Sequence, residues 1–354
     1  MMTISTIHEA RVTGGVDTHR DTHMVAALDH RGAELGVREF PTTPVGYRDA
    51  LCWLQSFGSI DRVGIEGTGT YGAGLTRFMH RNDVVVIEVA CGDRQARRSH
   101  GKSYTVDAIA AARAAQSGKA TAMPKTGTGS VEAIRALRMV RKSATRDRTG
   151  AINQMRAVVV TAPDDLRNTF RDDSITRLVV GAARLRPTDA TTAAGATKFA
   201  LRELARRVQS LDAEINRINN VLGPLVATTA PSLVARRGVG THTAATLLIA
   251  AGDNPERLHS EASFAHLCGS APIDASSGLI TRKRLNPRGN RSANEALWRI
   301  VLVCMATDPR TRRYVERRSI EGKSKREIIC CLKRYVAREV FKDLNNIVGG
   351  LDKR

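Results

Sequence analysis

The chain has 354 residues, 42% of them apolar, and carries 55 Lys plus Arg against 35 Asp plus Glu, a formal charge of +20 at pH 7. That apolar content excludes a disordered chain, and the length calls for two or three domains. The positive surplus points to a polyanion, first of all a phosphate backbone. Aromatic residues, at 4%, are too few for a protein that stacks each base of a single strand.

No apolar run reaches the roughly 18 residues of a membrane span. The start, MMTISTIHEARVTGG, lacks the basic and apolar stretches of a signal peptide. Cys52, Cys91, Cys268, Cys304, Cys330 and Cys331 contain no Cys-x-x-Cys pair, which argues against a zinc ribbon or a disulfide framework. The expectation is a cytoplasmic protein that contacts no membrane.

Residues 10–122 read as α/β. GGVDTH is a short apolar strand ending in an acid. HMVAALD alternates, and Asp29-His30-Arg31-Gly32 is a turn before ELGVREF. VGYRDALCWLQSF has helical spacing, RVGIEG is a buried-type strand, GAGLTRFMHRN a helix and VVVIEV another strand. VDAIAAARAAQSG is an Ala-rich helix that stops at a glycine. Three strands followed by alternation predict a mixed sheet.

Residues 130–225 read as a helical linker. Ile134, Leu137, Val140 and Ala144 share one face of a first helix. Leu201, Leu204, Val208, Leu211, Ile215, Ile218 and Leu222 form an unbroken heptad seam that Gly223-Pro224 should end. The seam serves either two antiparallel helices of one chain or a coiled coil between chains. Residues 162–197, with Pro163 and Pro187, read as a connector. Residues 230–345 form a third, mainly helical domain that closes on a basic tail.

Three carboxylates carry the first chemical signal. Asp17 lies at the end of the first strand, Glu66 ends RVGIEG and Asp107 opens the Ala-rich helix. In this element order they meet at one sheet edge, where hard oxygen ligands suit Mg²⁺ or Mn²⁺ and phosphodiester chemistry. Taken singly, each is an ordinary turn or helix-start charge. GTGTYGAG matches Gly-x-Gly-x-x-Gly at Gly67, Gly69 and Gly72, but its place after a later strand makes it a loop for close backbone approach, not a dinucleotide fingerprint. His19 and His23 flank a strand turn, a poor setting for a zinc pair.

The third domain carries the second signal. Arg236-Arg237-Gly238-Val239-Gly240, ahead of a small-residue helix, looks like half of a helix-hairpin-helix, in which glycines and a helix start approach a phosphate. Ser276 and Ser277 precede Gly278 in a stretch with no acid from Ala275 to Asn294 but with Arg282, Lys283, Arg284, Arg288 and Arg291. Such guanidinium groups stabilise an alkoxide and a pentavalent phosphate. A serine loop beside a phosphate-binding patch has the same composition.

GGVDTHRDTHMVAALDHRG, VGIEGTGTYG, GKSYTVDAIAAARAA, RRGVGTHTAATLLIAAGD and GSAPIDASSGLITRKRLNPRGNRSANEAL, in this order, resemble the IS-one-ten family of insertion-sequence transposases, as does SKREIICCLKRYVAREV. The resemblance implies an RNase H-like, RuvC-type domain with a four-acid set, a coiled-coil linker and a C-terminal domain with a nucleophilic serine. It also implies Mg²⁺ or Mn²⁺, donor and target DNA, a bridge RNA guide and a dimer of dimers. Asp17, Glu66 and Asp107 match three acids and Ser277 the serine, with Ser276 as the neighbouring candidate. Tyr104 stands where the family has its third acid. Phenols are neutral at pH 7 and poor Mg²⁺ ligands. The site then works with three acids, holds its ion weakly, or has lost activity. Two rival readings are a RuvC-like nuclease or junction resolvase and an inactive nucleic-acid-binding remnant.

Overall fold

The computed structural model describes residues 10–90, 103–274, 277, 283–286 and 289–351. Two compact units form: residues 1–129 with 252–259, and residues 130–251 with 260–354.

The first unit holds β1 (Arg11–Thr18), β2 (Thr22–Leu28), β3 (Glu34–Pro41), β4 (Ser59–Glu66) and β5 (Val86–Val89), with α1 (Pro44–Gln55), α2 (Ala73–Arg81) and α3 (Tyr104–Gln116). The strand order is β3-β2-β1-β4-β5. β1–β2 and β2–β3 are antiparallel hairpins, whereas β1–β4 and β4–β5 are parallel. The mixed sheet and the helix–strand alternation agree with the sequence expectation. Segment 252–259 joins this unit because Asn254 clamps it. Its Nδ2 donates to Pro124 O at 3.0 Å and its Oδ1 accepts from Thr126 N at 3.2 Å.

Side chains alternate across a strand, and β1 and β4 use that alternation for two purposes. Val12 and Val16, with Val63 and Ile65, point into an apolar core shared with Leu54, Leu75 and Met79. The opposite face offers Gly15 and Gly64, which are register partners. A Cβ on Gly15 would stand 2.2 Å from both Ala108 O and Ala112 N, and one on Gly64 2.4 Å from Ala111 O. The α3 backbone therefore rests directly on the sheet, with Ala108, Ala111, Ala112 and Ala115 buried between. Gln116 Nε2 fixes the far end of α3 by donating to Asp29 O at 2.6 Å.

The second unit begins with α4 (Ser130–Val160), α5 (Asp164–Phe170), α6 (Ile175–Ala183) and α7 (Ala193–Thr229). Arg148 Nε meets Asp212 Oδ1 at 2.5 Å and Arg141 Nε donates to Asn219 Oδ1 at 2.6 Å. One number falls as the other rises, so α4 and α7 run antiparallel. The heptad seam is covered within this chain, with Leu201, Val208 and Leu222 buried and Leu211, Ile215 and Ile218 half-buried. On α4, Ile134 and Ala144 are buried but Val140 is exposed.

Two expectations need correction here. Residues 162–197 are not a bare connector, because Leu166, Phe170, Leu178, Val179 and Ala182 join the core of α4 and α7. The signal lay in their three- and four-residue spacing and in Ser174 and Thr192, whose side chains cap α6 and α7. Nor do Gly223 and Pro224 end the seam helix, which continues to Thr229. Proline removes one backbone donor, and burial of Leu222 and Val226 on either side holds the helix through that loss.

The unit continues with α8 (Pro231–Val234), α9 (Thr241–Ala251), a 3₁₀ turn (Pro255–Arg257, within the first unit) and α10 (Glu261–Leu267). The hairpin β6 (Pro272–Asp274) and β7 (Lys283–Leu285) follows, then α11 (Arg291–Thr307), α12 (Pro309–Ile320) and α13 (Lys325–Leu351). No helix among the described residues is long and apolar enough to cross a membrane.

The glycine floor yields a stability test. Gly15→Val would drive a branched side chain into the α3 backbone. The expected loss is about 3 kcal/mol, the upper end for overpacking a core, read as a lower urea midpoint. An unchanged midpoint would mean that α3 does not rest on Gly15.

Candidate functional site

Alternation carries the glycine floor straight into the carboxylates. Asp17 stands two residues after Gly15 and Glu66 two residues after Gly64, so both lie on the α3 side of the sheet at the ends of adjacent parallel strands. Asp107 occupies the first turn of α3, four residues before Ala111 on the stripe that meets Gly64. Asp17 and Asp107 are both buried. Thr18 Oγ1 donates to Glu66 O at 2.9 Å and ties the two strand ends together. Gly67, at φ +66°, then turns the chain into the glycine loop, where Tyr71 is exposed.

The carboxylates share an electrostatic neighbourhood. Burial raises the pKa of Asp17 above its ordinary value; His19 opposes the rise, and the charges of Asp107 and Glu66 add to it. His19 Nε2 lies 3.1 Å from Asp17 Oδ2, at ion-pair distance but misaligned for a hydrogen bond. Among the described residues, no three His, Cys, Asp or Glu side chains converge tightly enough to hold a metal ion as they stand. The donors are hard carboxylate oxygens, which fit Mg²⁺ or Mn²⁺ in kind.

Tyr104 opens α3, half-exposed, with its ring edge against His19 at a centroid distance of 4.1 Å. It reaches the acids through His19. His23 is stacked on Tyr47 at 5.8 Å, its pKa lowered by burial, with neither ring nitrogen hydrogen-bonded.

The serine lies in the second unit. Ser277 sits in the β6–β7 loop and is exposed. Ser276, Arg282 and Arg288 lie outside the described residues. Lys283 and Arg284 are on β7, opposite Asp274 and Ile273, and Arg291 begins α11 on the surface. Arg236 is already committed within the chain, with Nε 2.6 Å from Asp343 Oδ2 and Nη1 2.7 Å from Glu339 Oε2. Arg237 Nη1 donates to Thr307 O at 2.8 Å.

Sequence reasoning missed the residues that hold the base of this hairpin. Asn294 Nδ2 donates to both Cys268 O and Gly269 O at 2.9 Å, and its Oδ1 accepts from the buried Lys333 at 3.0 Å. Asn290 caps α11 through its side chain, and its backbone N–H donates to Leu267 O at 2.6 Å. Asn286 Nδ2 donates to His266 O at 3.2 Å. Gly289 lies so close to Gly269 that a Cβ would stand 2.4 Å from its Cα. The available signal was the four-residue spacing of Asn286, Asn290 and Asn294.

A stability test follows from the Asp17 pKa. A raised folded value means that the folded chain holds this proton more tightly than the unfolded chain does. The stability so contributed is present in acid and lost as pH rises through the folded value. Asp17→Asn removes the ionisation, so at neutral pH without divalent cations its Tm should exceed that of the parent by a few degrees. A lower Tm would mean that the Asp17 charge is compensated in the fold.

Comparison with known proteins finds matches in both the N-terminal and C-terminal parts of the chain. Residues 14–162 match a family model of DEDD-type IS110 transposases, and residues 232–316 match the "Transposase IS116/IS110/IS902 family". Over 139 residues the chain is 32% identical to "Insertion element IS110 uncharacterized 43.6 kDa protein" of Streptomyces coelicolor, an alignment covering 39% of this chain and 33% of that protein. The chain thus spans about a third of the length of the curated relative it matches. Two transposase matches, one N-terminal and one C-terminal, together span about two thirds of the sequence, and the chain belongs to the IS110 family of transposases.

Proposed function

We propose that this protein cuts and rejoins DNA strands as the transposase of an insertion sequence. One observation carries the reading: Asp17, Glu66 and Asp107 share one face at the ends of two parallel strands, in a chain of charge +20. These three residues would hold Mg²⁺ or Mn²⁺, which when bound supplies positive charge to the oxygens of an in-line phosphoryl transfer. Thr18 and the glycine loop fix where Glu66 points, and the sheet fixes Asp17.

Ser277 is the nucleophile in this account. Its Oγ forms an ester bond to phosphorus while one phosphorus–sugar oxygen bond breaks. The serine proton leaves, and the departing sugar oxygen gains one, so the strand end is released as a hydroxyl. The ester keeps the phosphate at diester level, so reversal by another strand's hydroxyl rejoins DNA without added energy. Arg282, Arg284 and Arg288 contact phosphates and stabilise the pentavalent state. A bridge RNA guides the choice of donor and target, and a dimer of dimers completes the assembly, with the half-buried stretch Leu211, Ile215 and Ile218 available for contact between chains.

A second reading has its own observation. Tyr104 replaces an acid and leans on His19, which lies against Asp17. A site weakened in this way fits a nucleic-acid-binding remnant that no longer cleaves. A RuvC-like nuclease without serine chemistry is the third alternative.

Adduct formation separates the three. The parent protein with Mg²⁺ and end-labelled DNA of the element ends should give a shifted band on a denaturing gel. Ser277→Ala should abolish the band while DNA affinity stays within about twofold, since one hydroxyl contributes little beside charged contacts. Cleavage without an adduct selects the nuclease, and binding without cleavage the remnant. Loss of the band in Ser276→Ala but not in Ser277→Ala moves the nucleophile by one residue.

A further inference from the structure

A cavity of about 770 Å³ opens in the second unit among α8, α11, α12 and α13. Its volume falls within the roughly 300–1,000 Å³ of small-molecule sites. Tyr314 and Tyr335 line it, with ring centroids 5.7 Å apart and planes at 79°. They are two of the five tyrosines in the chain, so a good part of a small aromatic complement stands at one spot. Tyr335 is 49% exposed, leaving ring surface open. Arg317 and Arg318 lie over the Tyr314 ring at 5.5 and 5.7 Å, and Arg338 over Tyr335 at 6.0 Å.

The charge of the lining is strongly one-sided. Five arginines line the cavity, against the carboxylates of Asp308 and Glu339. Asp308 is occupied in capping α12 through Thr311, and Glu339 in pairing with Arg236. Arg313 makes no ion pair among the described residues, and Arg310 stands 3.9 Å from Glu339 with most of its side chain exposed. No residue of α12 is buried. This helix adds arginines and one tyrosine to the wall of the cavity, and Tyr314 and Val315 pack its inner side against Val301, Ile328 and Leu332.

Open tyrosine surface beside guanidinium planes suits a flat heteroaromatic ring, and exposed guanidinium groups held at most by loose 3.9 Å ion pairs, as Arg310 is to Glu339 and Arg317 to Glu321, suit a phosphate. An acidic peptide would use the arginines but leave the rings idle. Resting on the nucleic-acid reading above, we infer that this cavity receives one unpaired nucleotide of the bound nucleic acid, its base against Tyr314 and Tyr335 and its phosphate on Arg310, Arg313 and Arg317. It is separate from the residues proposed for strand cleavage, and it reads an extrahelical base, not a sequence in the groove.

The test uses the full chain and synthetic duplexes, in DNA and in RNA, carrying 2-aminopurine either as a single bulged base or fully paired. Anisotropy gives affinity, and 2-aminopurine quenching reports stacking. The bulged duplex should bind about tenfold more tightly than the paired one, as stacking of one base predicts, with its fluorescence quenched. Tyr335→Ala should remove the preference and the quenching while binding of the paired duplex stays unchanged. Tyr335→Phe should keep both. Arg313→Ser, at an exposed position that the core does not use, should lower affinity for the bulged duplex but retain the quenching. Equal binding of the two duplexes by the parent, or a preference that survives Tyr335→Ala, overturns the inference and leaves the nucleic-acid reading intact. Failure to bind either duplex at low salt overturns both.

Discussion

A helix backbone can lie on a sheet only where the sheet has no side chains. Gly15 and Gly64, register partners on β1 and β4, provide that bare patch, and α3 occupies it. The arrangement of the first unit depends on this contact. It brings Asp107 down onto the ends of the two strands that carry Asp17 and Glu66. The same packing buries Asp17 beside other acids: burial first, and then the charges of Asp107 and Glu66, raise its pKa. A cation bound beside such carboxylates would relieve their repulsion.

The second unit places its chemistry differently. Ser277 lies on a loop, but the roots of that loop are tied by Asn286, Asn290 and Asn294 to carbonyls at the end of α10. Lys333, buried and with its pKa lowered by that burial, holds the outer oxygen of Asn294. The same unit commits Arg236 to Glu339 and Asp343. An arginine next to a glycine turn is thus not automatically a phosphate ligand.

Patterns of period two and the order of elements made the first unit legible in the sequence. Strand alternation also located Asp17 and Glu66, because each ends its strand. The glycines beneath α3 were present in GGVD and RVGIEG, yet a close backbone approach leaves no periodic signature. Helix–helix partners were harder to read. The heptad from Leu201 to Leu222 suited a partner in either the same or another chain, and only the Arg148–Asp212 and Arg141–Asn219 pairs fix α4 as its neighbour within the chain. Pro163 and Pro187 do fall between helices, whereas burial of Leu222 and Val226 overrides the break that Pro224 suggested. The asparagine clamps escaped notice because the four-residue spacing of Asn286, Asn290 and Asn294 does not tell which distant carbonyls they meet.

The central claim is that Asp17, Glu66 and Asp107 form one divalent-cation site despite Tyr104. Electron paramagnetic resonance of free Mn²⁺, titrated with the full chain in the absence of DNA, tests it most directly. The account predicts that the aqua-ion signal falls as protein is added, and that Glu66→Gln weakens this uptake by at least about tenfold, since a charged oxygen ligand is lost while the fold is kept. Uptake that is absent in the parent, or equal in Glu66→Gln, would contradict it.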